Sequence, residues 1–151
     1  GYYSILREEI RRRQRELLVD HSGYGFIYDH YWFNDRPVLY EMLERLLLDG
    51  EPRVPFFLNW VNQSWKRKWL GLHTNENELL IEQTYNETAT TKHFTWLLRF
   101  FRHPLYIKVK GMPVLCVHEG PFSDALRARL AVFRTLTREA GFPELFIMQA
   151  L

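Results

Sequence analysis

Val54-Pro55-Phe56-Phe57-Leu58 runs directly into Asn59-Trp60-Val61-Asn62-Gln63-Ser64-Trp65-Lys66-Arg67-Lys68-Trp69. The first part is a continuous apolar run, the pattern of a strand buried on both faces. The second part interleaves three of the chain's five tryptophans with amides and cations. Indoles offer large flat faces at little conformational cost, and amides and guanidinium groups supply directional hydrogen bonds. That combination suits a ligand with apolar faces and a rim of hydroxyls, such as a sugar, and it also suits stacked bases. A buried parallel-type strand that opens into a polar, aromatic segment is the repeating theme of an α/β fold.

Working outward, the chain alternates helix and strand patterns with little linker between them. Residues 4–20 predict a helix with Leu6, Ile10, Leu17 and Leu18 on an apolar stripe and Arg11, Arg12, Arg13 and Arg15 on a solvated face. Phe26-Ile27-Tyr28 begins a strand. Asp35 and Pro37 predict the cap and first turn of a second helix, with Leu39, Met42, Leu43, Leu46 and Leu47 inward and Gly50 at its end. Thr88 to Phe101 predicts a third helix carrying Trp96, Leu97, Phe100 and Phe101 towards a core. Val114 to Val117 follows as a strand after a small extended excursion at Tyr106 to Val109. Ser123 or Asp124 caps a fourth helix, ended by Gly141, and Leu145 to Met148 predicts a fourth strand.

Such alternation predicts parallel strands joined by right-handed crossovers. A complete (β/α)8 barrel needs roughly 200 residues or more, so the 151 residues here match about half of one. No glycine-rich phosphate fingerprint follows a strand, which disfavours a nucleotide-binding open sheet. The expected fold is therefore α/β, about half of a TIM barrel, with four parallel strands alternating with helices. Polar and aromatic residues cluster after the strand ends, at His30 to Phe33, Asn59 to Trp69 and His118-Glu119, where a barrel places its active face.

Composition narrows the partners. The chain is 46% hydrophobic and 25% charged, with a formal net charge of +2, too small to suggest a nucleic-acid or membrane partner by itself. No apolar run approaches the ~20 residues of a membrane span. The single cysteine, Cys116, excludes an intrachain disulfide and reads as a buried structural thiol. His21, His73, His93 and His103 lack metal-ligand spacing, so no metal site or cofactor is expected.

The ordered set His30-Tyr31-Trp32-Phe33, Trp60-x-Asn62-x-x-Trp65, Trp69-x-Gly71, Ile81-Glu82-Gln83 and Gly111-x-Pro113 resembles the WbsX-type carbohydrate-active domains. These are related to the endo-α-mannosidases of glycoside hydrolase family 99. The resemblance covers nearly the whole chain and implies a partial glycan-active TIM-barrel domain over residues 1–151, lacking the first barrel strand and the later ones. It implies hydrolysis or transfer of a glycosidic bond in the intact protein, metal-free and with retention if the related mannosidases are followed. The partner it implies is a glycan or oligosaccharide.

On that reading Trp32, Trp60, Trp65 and Trp69 stack sugar faces, with Tyr31 beside them. His30, Asn62, Gln63, Arg67 and Glu82 hold hydroxyls and orient the reacting ring. Glu82 and Glu119 are the candidate catalytic carboxylates, Glu119 on position alone, beside His118 after the third strand. Two departures stand out. WbsX-like domains usually show Trp-Ala-Asn-Glu-Asn-Trp, where this chain has Gln63, an amide that cannot exchange a proton at neutral pH. Their Trp-Asp-Gly is Trp69-Leu70-Gly71 here. The paired glutamates of the family's Asn-Glu-Trp-x-Glu-Gly motif belong to a later strand outside this sequence, and glycoside chemistry normally needs two carboxyl groups. A glycan-binding relative without catalytic acids is therefore the alternative reading. Half a barrel also leaves two sheet edges unpaired, so the rest of the parent barrel or another chain is expected to cover them.

Overall fold

The computed structural model describes residues 3–63, 65–66, 79–81, 86–118 and 123–150. In chain order they form α1 (Glu8–Asp20), β1 (Phe26–Phe33), β2 (Arg36–Val38), α2 (Glu41–Asp49), β3 (Phe56–Val61), β4 (Trp65–Lys66), β5 (Leu79–Ile81), α3 (Glu87–Phe101), β6 (Lys108–Val109), β7 (Met112–His118), α4 (Asp124–Glu139) and β8 (Phe146–Ala150). Four strands, β1, β3, β7 and β8, pair in parallel in that sequence order. One helix separates each from the next, and α2, α3 and α4 all contribute to a single core on one face of the sheet. A doubly wound sheet would reverse its strand order and place helices on both faces. The chain is mixed α/β, four parallel strands alternating with helices in barrel order, and the sheet is open among the described residues.

Local chemistry sets most of the element ends. Asn86 Oδ1 accepts from Ala89 N at 2.7 Å to start α3, and Ser123 Oγ accepts from Leu126 N at 3.1 Å to start α4. Gly50 and Gly141 take positive φ at the ends of α2 and α4. Gly25 is needed for a different reason: a Cβ there would overlap the backbone carbonyl of Pro55, which accepts from Phe26 N at 3.0 Å as β1 meets β3.

Three sequence expectations change. Asp35-x-Pro37 does not open a helix. Asn34 and Asp35 both take left-handed φ, at 47° and 61°, and make a two-residue turn that folds Arg36–Val38 back antiparallel onto Tyr31–Phe33. Helix α2 begins only at Glu41. Strands β1 and β3 extend through Phe33 and Val61, so His30 to Phe33, Asn59 and Trp60 belong to the strands instead of following them. Arg11 is not on a solvated face: it is 0% exposed, with Nε on the Glu51 carbonyl at 3.0 Å, Nη1 on the Ile5 carbonyl at 2.9 Å and Nη2 on Asp49. Buried charges persist when paired and hydrogen-bonded in this way. Arg12 and Arg13 do remain exposed, in i,i+4 and i,i+3 pairs with Glu8 and Glu16.

Candidate functional site

Strand alternation sorts the predicted site residues onto two faces. In parallel register Asp29 lies beside Asn59, Asn59 beside Cys116, and Cys116 beside Met148, so these side chains share one face. The row above it holds Val61, His118 and Ala150 on that face, with Tyr31 two residues beyond Asp29. The row below is apolar, with Ile27 beside Phe57 and Val114 beside Phe146. This is the inner face of the barrel-ordered sheet, opposite the helices, and Ile27 and Met148 are 60% and 41% exposed on it.

The middle row is polar and internally bonded. Asn59 Nδ2 donates to Asp29 Oδ1 at 2.8 Å. Burial, then the neighbouring Asp29 charge, raises the Tyr31 phenol above its ordinary range, so it stays protonated. Burial also raises the Cys116 thiol, outweighing its backbone hydrogen bonds, and keeps it an unreactive thiol. Beyond β3, Asn62 and Gln63 are half-buried, and Asn62 Oδ1 has no hydrogen-bond partner among the described residues.

The even-numbered positions of β1 and β3 face the helices instead. His30, Trp32 and Trp60 meet His93 and Trp96 of α3 and Arg129 and Phe133 of α4. Trp32 stacks on His93 at 4.6 Å and 9°, His30 stacks on Trp96 at 4.9 Å, and Trp60 meets His93 edge-on at 4.8 Å. The Arg129 guanidinium lies 5.0 Å from the Trp60 ring, within cation–π range.

A directional relay runs through this layer. Arg129 Nη2 lies 2.8 Å from His93 Nδ1, and His93 Nε2 lies 2.8 Å from His30 Nε2. Guanidinium only donates, so His93 Nδ1 must accept and its proton sits on Nε2. His30 Nε2 then accepts, which places the His30 proton on Nδ1. That N–H is buried and has no partner among the described residues. Burial and the Arg129 charge push His30 down to about 3. His93 is held well below its ordinary range by burial, His30 and Arg129. Both imidazoles are neutral across the physiological range.

The sequence-predicted residues are thus divided. His30, Trp32 and Trp60 come together, as a packed layer beneath the helices, at 1%, 5% and 0% exposure, so their rings are enclosed by protein. Tyr31 lies on the inner face, and Asn62 and Gln63 follow the end of β3. Trp65 pairs with Ile81 through the β4–β5 hairpin backbone. Arg67, Trp69, Glu82 and Glu119 lie outside the described residues. Asp29, His93 and Arg129 were not singled out from the sequence, and Asn59 entered only as the start of the Asn59 to Trp69 cluster. A signal existed for two of them: His93 falls on the Trp96, Leu97 and Phe100 stripe, and Arg129 on the Leu126, Leu130 and Phe133 stripe. Among the described residues no group of three or more His, Cys, Asp or Glu side chains is placed to hold a metal ion, and no helix is long and apolar enough to cross a membrane.

Comparison with known proteins adds three findings. The family described as glycosyltransferase WbsX matches residues 1–151. Two proteins named "Uncharacterized protein WxcX", from Xanthomonas campestris pv. campestris strains B100 and ATCC 33913, are each 24% identical over 147 residues. The alignment covers 97% of this chain and 21% of each relative, so the chain spans about a fifth of their length. A solved structure named "Glycoside hydrolase-like protein" shares the fold with a TM-score of 0.60 at 14% identity, over 99% of this chain and 45% of its own.

Proposed function

This chain belongs to the WbsX glycosyltransferase family, a carbohydrate-active domain by family and fold, and from that premise we propose that it holds a glycan on its inner sheet face. In the intact protein that glycan undergoes hydrolysis or transfer of a glycosidic bond. The observation that carries the reading is the polar row on this face. Asp29 and Asn59 are hydrogen-bonded to each other near the middle of their strands, with Tyr31 and His118 in the next row towards the carboxyl-terminal ends. Barrel enzymes place substrate at that end of the sheet, among side chains from several strands.

On this reading the fully packed His30, Trp32 and Trp60 layer supports the site from behind, and the glycan meets Tyr31, Asn62 and Gln63 with Trp65, Arg67 and Trp69. Glu82 and Glu119 remain the proposed carboxylates of the chain itself. Two carboxyl groups about 5–5.5 Å apart are expected of a retaining reaction. The remainder of a parent barrel, or another chain, is the proposed cover for the sheet edges. Titration calorimetry of the full-length protein with mannose-containing oligosaccharides tests the reading, and absence of binding heat overturns it. Gln63 and Leu70, standing where the family usually carries acids, favour a second reading in which the glycan is bound without chemistry. Binding with no glycosidic product over a panel of oligosaccharides selects that one.

A further inference from the structure

The inner face carries a hydrogen-bonding imbalance that the described residues do not resolve. Asp29 Oδ1 accepts from Asn59 Nδ2 at 2.8 Å across neighbouring strands. A carboxylate only accepts, so the amide must turn its nitrogen towards Asp29, which fixes its oxygen as the remaining acceptor. That oxygen is buried, with Asn59 only 8% exposed, and it has no hydrogen-bond partner among the described residues. A buried acceptor is stable only when a donor meets it. Asp29 itself is exposed, so its carboxylate is open to solvent next to this oxygen. The rest of the row, Cys116 and Met148, brings no cation.

Two acceptors on adjacent strands call for a ligand with two donors. We propose that Asp29 and Asn59 read two neighbouring hydroxyls of one uncharged sugar ring, both donating to the pair, and that they exclude a uronate from this position. Strands lie about 4.8 Å apart, a span that adjacent ring hydroxyls bridge with ordinary O–H···O bonds. A uronate brings a second carboxylate against Asp29 and acceptor oxygens against Asn59 Oδ1, so it meets like charge and no complementary donor. The inference rests on the glycan reading above and names its substrate class.

The test is calorimetry on the full-length protein with three probes: a mannose oligosaccharide, a uronate-containing oligosaccharide and a glucosamine oligosaccharide. The wild type binds the mannose probe at least about tenfold more tightly than the uronate one. Asp29→Asn keeps an acceptor for the Asn59 amide and therefore the fold, yet lowers mannose-probe affinity about 10- to 100-fold and narrows the preference over uronate. Asn59→Leu, near in size, lowers mannose-probe affinity about tenfold. A purely structural role lowers affinity for all probes in parallel and leaves the ratio unmoved, which overturns the inference. So does undiminished mannose binding by Asp29→Asn, or a wild-type preference for glucosamine, whose ammonium would then be the donor being read. Failure of all three probes to bind the wild type overturns the glycan reading itself.

Discussion

Acid should loosen this fold through two histidines, by an amount that the buried relay sets. His30 and His93 are neutral in the folded chain, with His30 down at about 3 and His93 well below its ordinary range. In an unfolded chain both titrate near 6.5. Between pH 6.5 and about 3 the unfolded state therefore holds more protons, so stability is complete above pH 6.5 and falls as pH falls through that window. The charged group facing the pair is Arg129, which repels a proton on either ring. At pH 5 the His30 shift alone removes about 2 kcal/mol relative to pH 7.5, and His93 adds to the loss in the same direction. Domains hold only about 5–15 kcal/mol in total, so this effect decides whether the layer survives mild acid. The perturbation is His93→Gln, a neutral amide that offers both a donor and an acceptor without titrating. Urea denaturation of the full-length protein between pH 7.5 and 5, with hydrogen exchange of α3 peptides as the local readout, measures it. The variant should be less stable at pH 7.5 by about 1–2 kcal/mol, as expected for imperfect buried hydrogen bonds, and should lose less than the wild type on acidification. Equal acid losses in wild type and variant would refute the neutral relay.

Three further outcomes follow from the same geometry. Trp60→Ala should destabilise by about 3–5 kcal/mol through the cavity left between β3, α3 and α4, whereas a folded Trp60→Phe should keep its glycan affinity, because the enclosed ring faces the helices; selective loss of affinity in that variant, read by calorimetry, would contradict its placement. Arg11→Met should cost about 3–5 kcal/mol by stranding Asp49 and two backbone carbonyls, whereas Arg13→Ala should leave the melting temperature nearly unmoved, since its pair with Glu16 is exposed; thermal melts separate the two. Residues 1–151 expressed alone should self-associate, because among the described residues β8 pairs only with β7 and the inner face exposes Ile27 and Met148, and a monodisperse monomer in sedimentation would oppose this.

The alternation of helices and parallel strands was legible in the sequence because burial on both faces leaves continuous apolar runs, as at Val54 to Leu58, and helices leave stripes and caps, as at Asn86 and Ser123. The resemblance carried by His30 to Phe33, Trp60 to Trp65 and Gly111-x-Pro113 led to the right family for the same local reason: its motifs are short and ordered. The Asn34-Asp35 turn was missed although the residue pair suits left-handed φ, because Pro37 also suits the first turn of a helix. Which way each side chain points was beyond the sequence. A strand alternates its faces at a period of two, so His30, Trp32 and Trp60 fall on one side and Asp29, Tyr31 and Asn59 on the other. Nothing local says which side the helices will cover. That assignment comes from contacts between distant residues: His30 with His93, Arg129 with His93, and Asn59 with Asp29. By itself the sequence determined the elements and the family. The tertiary structure decided that His30, Trp32 and Trp60 pack beneath the helices, and that Asp29 and Asn59 meet on the opposite face of the sheet.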